Sequence, residues 1–65
     1  MRVEWVERRR GEPIFVIAEK FARTWEFWER SSWETRWFPR PVDGTATRKA
    51  RRLARGIMLP KSAAR

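Results

Sequence analysis

Residues 25–38 read WEFWERSSWETRWF and contain four of the five tryptophans in the chain. Aromatic and charged side chains alternate in this stretch, so that Trp25 and Phe27 share one face while Glu26 lies on the other. Alternation with a period of two is typical of a β-strand with one buried face. The stretch therefore predicts a β-hairpin, with strands at about 24–30 and 33–38, that supplies most of the apolar core.

A three-residue connection at Arg30-Ser31-Ser32 would keep the two apolar faces of this hairpin in register. It predicts three pairs on the buried face and one on the other: Trp25 with Trp37, Phe27 with Thr35, Glu29 with Trp33, and Glu26 with Arg36. Aromatic pairs and opposite-charge pairs each stabilise a sheet by roughly 0.2–1 kcal/mol. The connection itself lacks the Gly or Asn that tight hairpins prefer.

Two more strands are predicted earlier in the chain, at about 2–8 and 14–21. The first alternates apolar and charged residues, and the second begins with β-branched and aromatic residues. Gly11 and Pro13 stand among charged residues and indicate a turn between the two strands. We expect Trp5 to pair with Phe15 and Val3 to pair with Ile17.

Residues 14–32 also permit a helix, because apolar side chains recur there at steps of three and four residues. A helix would leave Phe15, Val16 and Phe27 on its charged face, so strands are the preferred interpretation. Pro39 and Pro41 are predicted to end the sheet, because proline cannot donate a backbone hydrogen bond to a neighbouring strand.

A basic helix is predicted over about 45–56, after a Pro-rich link at 39–44. Thr45 or Thr47 would cap its start and Gly56 its end, and residues 60–65 are expected to fray. One side of this helix would carry Ala46, Ala50, Leu53 and Ala54, and the other Arg48, Lys49, Arg51, Arg52 and Arg55. The predicted fold is a single α+β domain: a small antiparallel β-meander of three or four strands, followed by one C-terminal amphipathic basic α-helix.

The charge of the chain is concentrated at one end. The net charge is +8 over 65 residues, yet residues 1–44 carry only +1, whereas residues 45–65 carry +7 and no acidic side chain. Acid-free basic blocks are typical of segments that bind polyanions, although a preference for Arg codons would also enrich arginine. The predicted partner is nucleic acid, DNA or RNA, and we expect the protein to bind it with low sequence specificity. The predicted contacts are Arg48, Lys49, Arg51, Arg52 and Arg55 of the helix, with Arg8, Arg9 and Arg10 of the first turn.

Each basic cluster also has a purely structural interpretation. The helix arginines could form a solvated face, and Arg8, Arg9 and Arg10 could keep a sheet edge soluble. Trp28, Arg30 and Arg36 form a third candidate site, because an exposed aromatic ring among cations can stack on a base or anchor an interface. The interpretation we prefer is that the helix packs on that face and buries Trp28 in the core, because a two-layer fold needs the helix on one face of the sheet.

Composition bounds the remaining classes of function. The chain has no Cys and no His, which excludes disulfides, Cys/His zinc sites and imidazole catalysis. No glycine-rich phosphate loop is present, so we expect no enzyme activity, no cofactor and no metal. No apolar run approaches the length of a membrane span or a signal peptide, so we expect a cytoplasmic protein without a membrane partner. The alternative function is a small structural or regulatory subunit that docks on a protein partner or homodimerises through its Trp-rich sheet.

Overall fold

The structure is a computed structural model that describes residues 1–58. It is a four-stranded antiparallel sheet in the order β1-β2-β3-β4 followed by one helix, so the predicted succession of sheet and C-terminal helix is confirmed. The elements are β1 Arg2–Arg9, β2 Glu12–Phe21, β3 Thr24–Ser31, β4 Phe38–Arg40 and α1 Gly44–Met58. The alternative helix over 14–32 is wrong, because those residues form β2 and β3. The predicted frayed tail, 60–65, lies outside the described residues.

The β1–β2 hairpin turns at Arg10 and Gly11, whose φ angles are 54° and 83°. Two consecutive left-handed residues are the requirement of a type I′ two-residue turn, whose twist matches that of the flanking strands. This turn pairs Val3 with Ala18 and Trp5 with Val16. The expected pairs of Trp5 with Phe15 and Val3 with Ile17 are therefore wrong by one residue, and Phe15 and Ile17 lie on the opposite face.

The predicted β3–β4 hairpin is wrong in both its strand limits and its register. The fourth strand begins at Phe38 rather than at residue 33, and it pairs Glu29 with Phe38 and Phe27 with Arg40. Neither Ser31 nor Ser32 has a positive φ, so the type I′ or II′ turn of a two-residue hairpin does not form there. The N–H of Glu34 bonds to the carbonyl of Ser31 at 3.2 Å and closes a turn at the start of a longer loop over 32–37. The expected pairs of Trp25 with Trp37, Phe27 with Thr35, Glu29 with Trp33 and Glu26 with Arg36 are all absent from the described sheet.

Pro39 lies inside β4 and does not end the sheet as expected. It stands opposite Trp28, between the pairs Phe27 with Arg40 and Glu29 with Phe38. Antiparallel pairs alternate between hydrogen-bonded and non-hydrogen-bonded, and Trp28 uses its backbone groups toward β2, where it faces Ile17. Pro39 thus occupies a position whose missing N–H would point away from the sheet, which is where an edge strand accepts proline.

The helix packs on one face of the sheet and forms the core with it. Trp25 and Phe27 are buried there, as the alternation in β3 predicted, and their rings stack with centroids 6.5 Å apart. The buried residues of this layer are Val3, Ala18, Trp25, Phe27, Ala46, Ala50 and Ala54, with Trp5 and Leu53 against them. Alanine on the inner side of the helix lets the helix backbone lie close to the large rings of the sheet.

Asp43 begins the helix, rather than Thr45 or Thr47 as expected. Its Oδ1 accepts a hydrogen bond of 2.7 Å from the backbone N–H of Ala46, the geometry of an N-cap. Thr47 instead donates its hydroxyl to the carbonyl of Asp43 at 2.8 Å. Gly56 does not end the helix, which runs on to Met58.

Candidate functional site

The outer side of α1 presents the strongest concentration of charge in the described chain. Ala46, Ala50 and Ala54 face the sheet and are buried, whereas the arginines between them point to solvent. The exposed arginines are Arg48, Arg51, Arg52 and Arg55. The helix sequence, GTATRKARRLARGIM, contains no acidic residue, and within residues 1–58 no ion pair involves these four side chains. We call this set the helix arginines.

Lys49 was predicted to belong to the same basic surface, but the structure turns it toward the sheet. Its Nζ lies 5.5 Å from the centroid of the Trp5 ring, and the side chain is half-buried. An ammonium over an indole face is attracted by the negative potential of the ring. Lys49 therefore helps to hold α1 on β1 and is less accessible than its neighbours.

Arg8, Arg9 and Arg10 do not form a single basic cluster. Arg8 donates a hydrogen bond of 3.0 Å to the carbonyl of Gly11 across the turn. Arg9 forms a bidentate pair with Glu29, with its two terminal nitrogens at 3.1 and 3.0 Å from the carboxylate oxygens. Only Arg10, exposed at the tip of the turn, makes no side-chain contact of this kind within residues 1–58.

The pair of Arg9 and Glu29 belongs to an ionic network on the helix side of the sheet. Arg40 lies 3.0 Å from Oε1 of Glu7 and 3.6 Å from Oε1 of Glu29, and so links β4 to both β1 and β3. The hydrogen bond from Arg9 is the main reason that the pKa of Glu29 is below its ordinary value. Burial pushes the pKa of Glu7 upward, but hydrogen bonds from Arg40 and from Trp5 Nε1 outweigh it and the pKa is lowered.

Among the described residues, 1–58, no helix packs on the opposite face of the sheet. Trp28 lies on this open face, half-buried, and lines a cleft with Ile17 and Trp37. A second cleft of about 290 Å³ beside it is lined by Val6, Phe15 and Trp37 among others. The expectation that α1 would cover Trp28 is therefore wrong, because the helix packs on Trp25 and Phe27 instead.

Arg30 lies on this open face and holds the loop over 32–37 against the sheet by ring stacking and hydrogen bonds. Its guanidinium carbon lies 5.0 Å from the Phe15 ring centroid and 5.3 Å from that of Trp37. The same group donates hydrogen bonds to the carbonyls of Ser31 and Glu34 at 3.2 and 2.7 Å. Arg36 lies apart, exposed, with its guanidinium 5.8 Å from the Phe38 ring. Trp28, Arg30 and Arg36 thus do not converge on one point.

The two faces of the molecule differ in electrostatic character. The open face mixes both signs, because Glu4, Glu19 and Glu26 share it with Arg2, Arg8 and Arg30 through the alternation of the strands. The outer side of α1 carries positive charge alone. Within residues 1–58, an excess of positive charge is therefore found on the outer side of α1 and not on the open face.

Sequence reasoning missed the role of Arg40, Glu7 and Glu29. These residues are far apart in sequence, and only the register of three strands brings them together; no local pattern signals it. Within residues 1–58 no three or more Asp or Glu side chains form a group suited to a metal ion. None of the described helices has the length and apolarity needed to cross a membrane.

Comparison of the chain with protein-family models, curated proteins and solved structures gives no match.

Proposed function

We propose that this protein binds nucleic acid, DNA or RNA, through the helix arginines, with low sequence specificity. The observation that carries the proposal is the arrangement of four exposed arginines on an acid-free helix whose other side is fixed to the sheet by Ala46, Ala50 and Ala54. Because the packing side and the basic side are separate, the arginines can contact a ligand without disturbing the core.

The chemistry of the helix arginines suits phosphate better than base edges. Guanidinium groups bind phosphate oxygens bidentately and keep their charge at all physiological pH values. From Arg48 to Arg55 the helix rises about 10 Å at 1.5 Å per residue, a span that reaches several phosphates along a backbone. Such contacts position a protein on nucleic acid but read no sequence.

Binding should weaken steeply with salt, which provides the test. If all four helix arginines neutralise phosphates on duplex DNA, the slope of log K against log salt is about −3.6, at roughly −0.9 per phosphate. Fluorescence polarisation with labelled mixed-sequence duplex DNA, single-stranded DNA and RNA, from about 50 mM salt upward, measures this slope. The three probes also decide between DNA and RNA.

A double variant locates the binding surface. Arg51→Gln with Arg52→Gln keeps helix propensity nearly constant and should shallow the slope by up to about two units. Arg2→Gln with Arg23→Gln removes the same charge from exposed positions outside α1 and should leave the slope nearer the wild-type value. Absence of binding at micromolar protein in about 50 mM salt would refute the proposal, as would an equal effect of both double variants.

A second candidate function is docking on a protein partner through the open face. It is favoured by the apolar side chains left uncovered there, since Val6 is 53% exposed and Trp37 38%. Aromatic residues and arginine are enriched at protein interfaces. If the open face docks on a protein partner, Trp37→Ser should abolish binding of that partner. The same variant should leave any nucleic-acid binding by the helix arginines unchanged. Under either function we predict a non-enzymatic, cytoplasmic protein.

A further inference from the structure

The two edges of the sheet differ in how they are protected. β4 is three residues long, and its central residue, Pro39, offers no outward N–H. β1 is eight residues long, contains no proline, and no strand pairs with its outer side within residues 1–58. Natural sheets block their edges with short strands, proline, bulges or charged side chains. β4 is blocked by its length and its proline, whereas β1 has only charged side chains, whose mixed signs allow them to pair with an edge of complementary charge.

The register shows which residues of β1 offer their backbone outward. The N–H of Lys20 donates to the carbonyl of Met1 at 2.9 Å, and the two-residue turn makes Arg9 and Glu12 a hydrogen-bonded pair. Odd-numbered residues of β1 therefore bond to β2. The even-numbered residues present unpaired N–H and C=O groups at the outer edge: Arg2, Glu4, Val6 and Arg8.

We propose that two copies of this chain pair antiparallel through β1, with the two-fold axis at Val6. This register places Glu4 of each copy opposite Arg8 of the other, so the opposite-charge pair is made twice, and it brings the two Val6 side chains together on the open face. Centring on Trp5 would oppose Arg2 and Arg8, and centring on Glu4 would oppose the two glutamates. Like charges directly opposite each other destabilise a sheet. The Val6 register brings Arg2 level with Arg10 of the other copy, but Arg10 lies in the turn beyond the end of β1 and so outside the strand pairing. Glu4 is exposed, and its ion pair with Arg2 of the same strand is long, at 3.8 Å. Charge complementarity within the strands therefore selects Val6.

The proposed dimer would place both helices on one side of the sheet and both open faces on the other. A two-fold axis between antiparallel edge strands is perpendicular to the sheet, so the eight strands form one continuous sheet and both helices lie on the same side. The helix backbone approaches β1 more closely than the other strands, so the two sets of helix arginines flank the axis. The edge pairing stands whether or not these arginines bind nucleic acid.

Analytical ultracentrifugation of charge-reversal variants tests the pairing. In about 0.3 M salt, which shortens the range of repulsion between the two basic chains, wild-type protein at several hundred micromolar should sediment partly as a dimer. Glu4→Arg should weaken the dimer by about tenfold or more, because two attractive pairs become repulsive. Adding Arg8→Glu should restore it. Glu26→Arg makes the same change in net charge away from the edge and should leave dimerisation unchanged.

Two further variants separate the edge from the open face. Val6→Pro removes an outward N–H and the valine side chain at the two-fold axis but no hydrogen bond to β2. The monomer should therefore fold, as judged by circular dichroism, yet fail to dimerise. Trp37→Ser alters the open face and should leave the dimer intact. A strictly monomeric wild type would overturn the proposal. A dimer unaffected by Glu4→Arg and Val6→Pro, or lost on Trp37→Ser alone, would also overturn it and would place the interface on the open face.

Discussion

Phe27 and Trp37 have similar chemistry and opposite structural roles. Phe27 is 2% exposed and lies between the rings of Trp5 and Trp25, with centroid distances of 6.3 and 6.5 Å. Trp37 comes from the loop, is 38% exposed, and lies over the open face beside Arg30, Phe15 and Trp28. Aromatic character alone therefore does not indicate which residues hold this core together.

Truncating these two rings should have very different effects on stability. Phe27→Ala should lower the free energy of unfolding by about 3–5 kcal/mol, because it removes a large buried ring and leaves a cavity. Trp37→Ala should cost less, about 1–2 kcal/mol, because the ring is partly exposed and its removal leaves an open surface rather than a closed cavity. Urea denaturation followed by circular dichroism measures both. Comparable losses for the two variants would contradict the assignment of the core.

The helix begins and ends differently from what its residue types suggest. Thr45, Thr47 and Gly56 each match a helix-terminus preference, but Asp43 accepts the capping hydrogen bond and Gly56 lies within the helix. The capping preference of a residue type shows only which residues are able to cap a helix. The path of the Pro-rich link after β4 determines which of these residues stands at the position where the helix begins.

Replacing the observed cap should destabilise the protein more than replacing the expected one. Asp43→Ala should cost about 1 kcal/mol by leaving the N–H of Ala46 without its acceptor. Thr45→Ala should change stability by no more than about 0.5 kcal/mol, because Thr45 is exposed. Thermal denaturation of the two variants ranks them directly, and a reversed order would show that Thr45 is the cap.

Gly56→Ala gives an independent test of where the helix ends. A methyl group at this position would meet nothing within 4 Å, and the backbone is helical. Alanine in a helix interior is more favourable than glycine by roughly 0.5–1 kcal/mol, so the variant should unfold at a higher temperature. A terminal glycine in the left-handed conformation would give the opposite result, a loss of stability.

Helices and strands could be predicted from the sequence where neighbouring residues determine them. They could not be predicted where contacts between residues far apart in the sequence determine the structure. Alternation in β1 and β3, the β-branched run in β2 and the Ala/Arg periodicity of α1 each indicated the right element. Gly11 indicated the first turn, but its partner at positive φ, Arg10, has no sequence signature, so the register was off by one. The loop over 32–37 contains no Gly or Asn to mark a hairpin turn. The position of Trp37 depends on Arg30, which also stacks on Phe15 of another strand.

At the scale of the whole molecule, β1, β3 and β4 are tied together by the network of Glu7, Glu29, Arg9 and Arg40. Both carboxyl groups have lowered pKa values in the folded state. Their stabilisation is present above the ordinary carboxyl pKa of about 4.3 and is lost as the pH falls through the folded-state values. The protein should therefore lose stability on acidification below about pH 5.

Glu29→Gln should flatten this pH dependence, because the strongest of these interactions, the bidentate pair with Arg9, is removed. Glu26→Gln is the matched control, since Glu26 is exposed and makes no ion pair within residues 1–58. Urea denaturation between pH 7 and pH 3 measures the difference. An equal decline in the wild type and both variants would show that the ion pairs of Glu29 contribute nothing to stability.

Nuclear magnetic resonance mapping of nucleic-acid binding tests the central claim most directly, because it distinguishes the helix arginines from the open face. With short mixed-sequence DNA or RNA added to labelled protein, we predict the largest amide shifts at Arg48, Arg51, Arg52 and Arg55. The indole N–H signals of Trp28 and Trp37, on the far side of the sheet, should move little. Large shifts at those two indoles with an unperturbed helix would contradict the account and place the binding site on the open face.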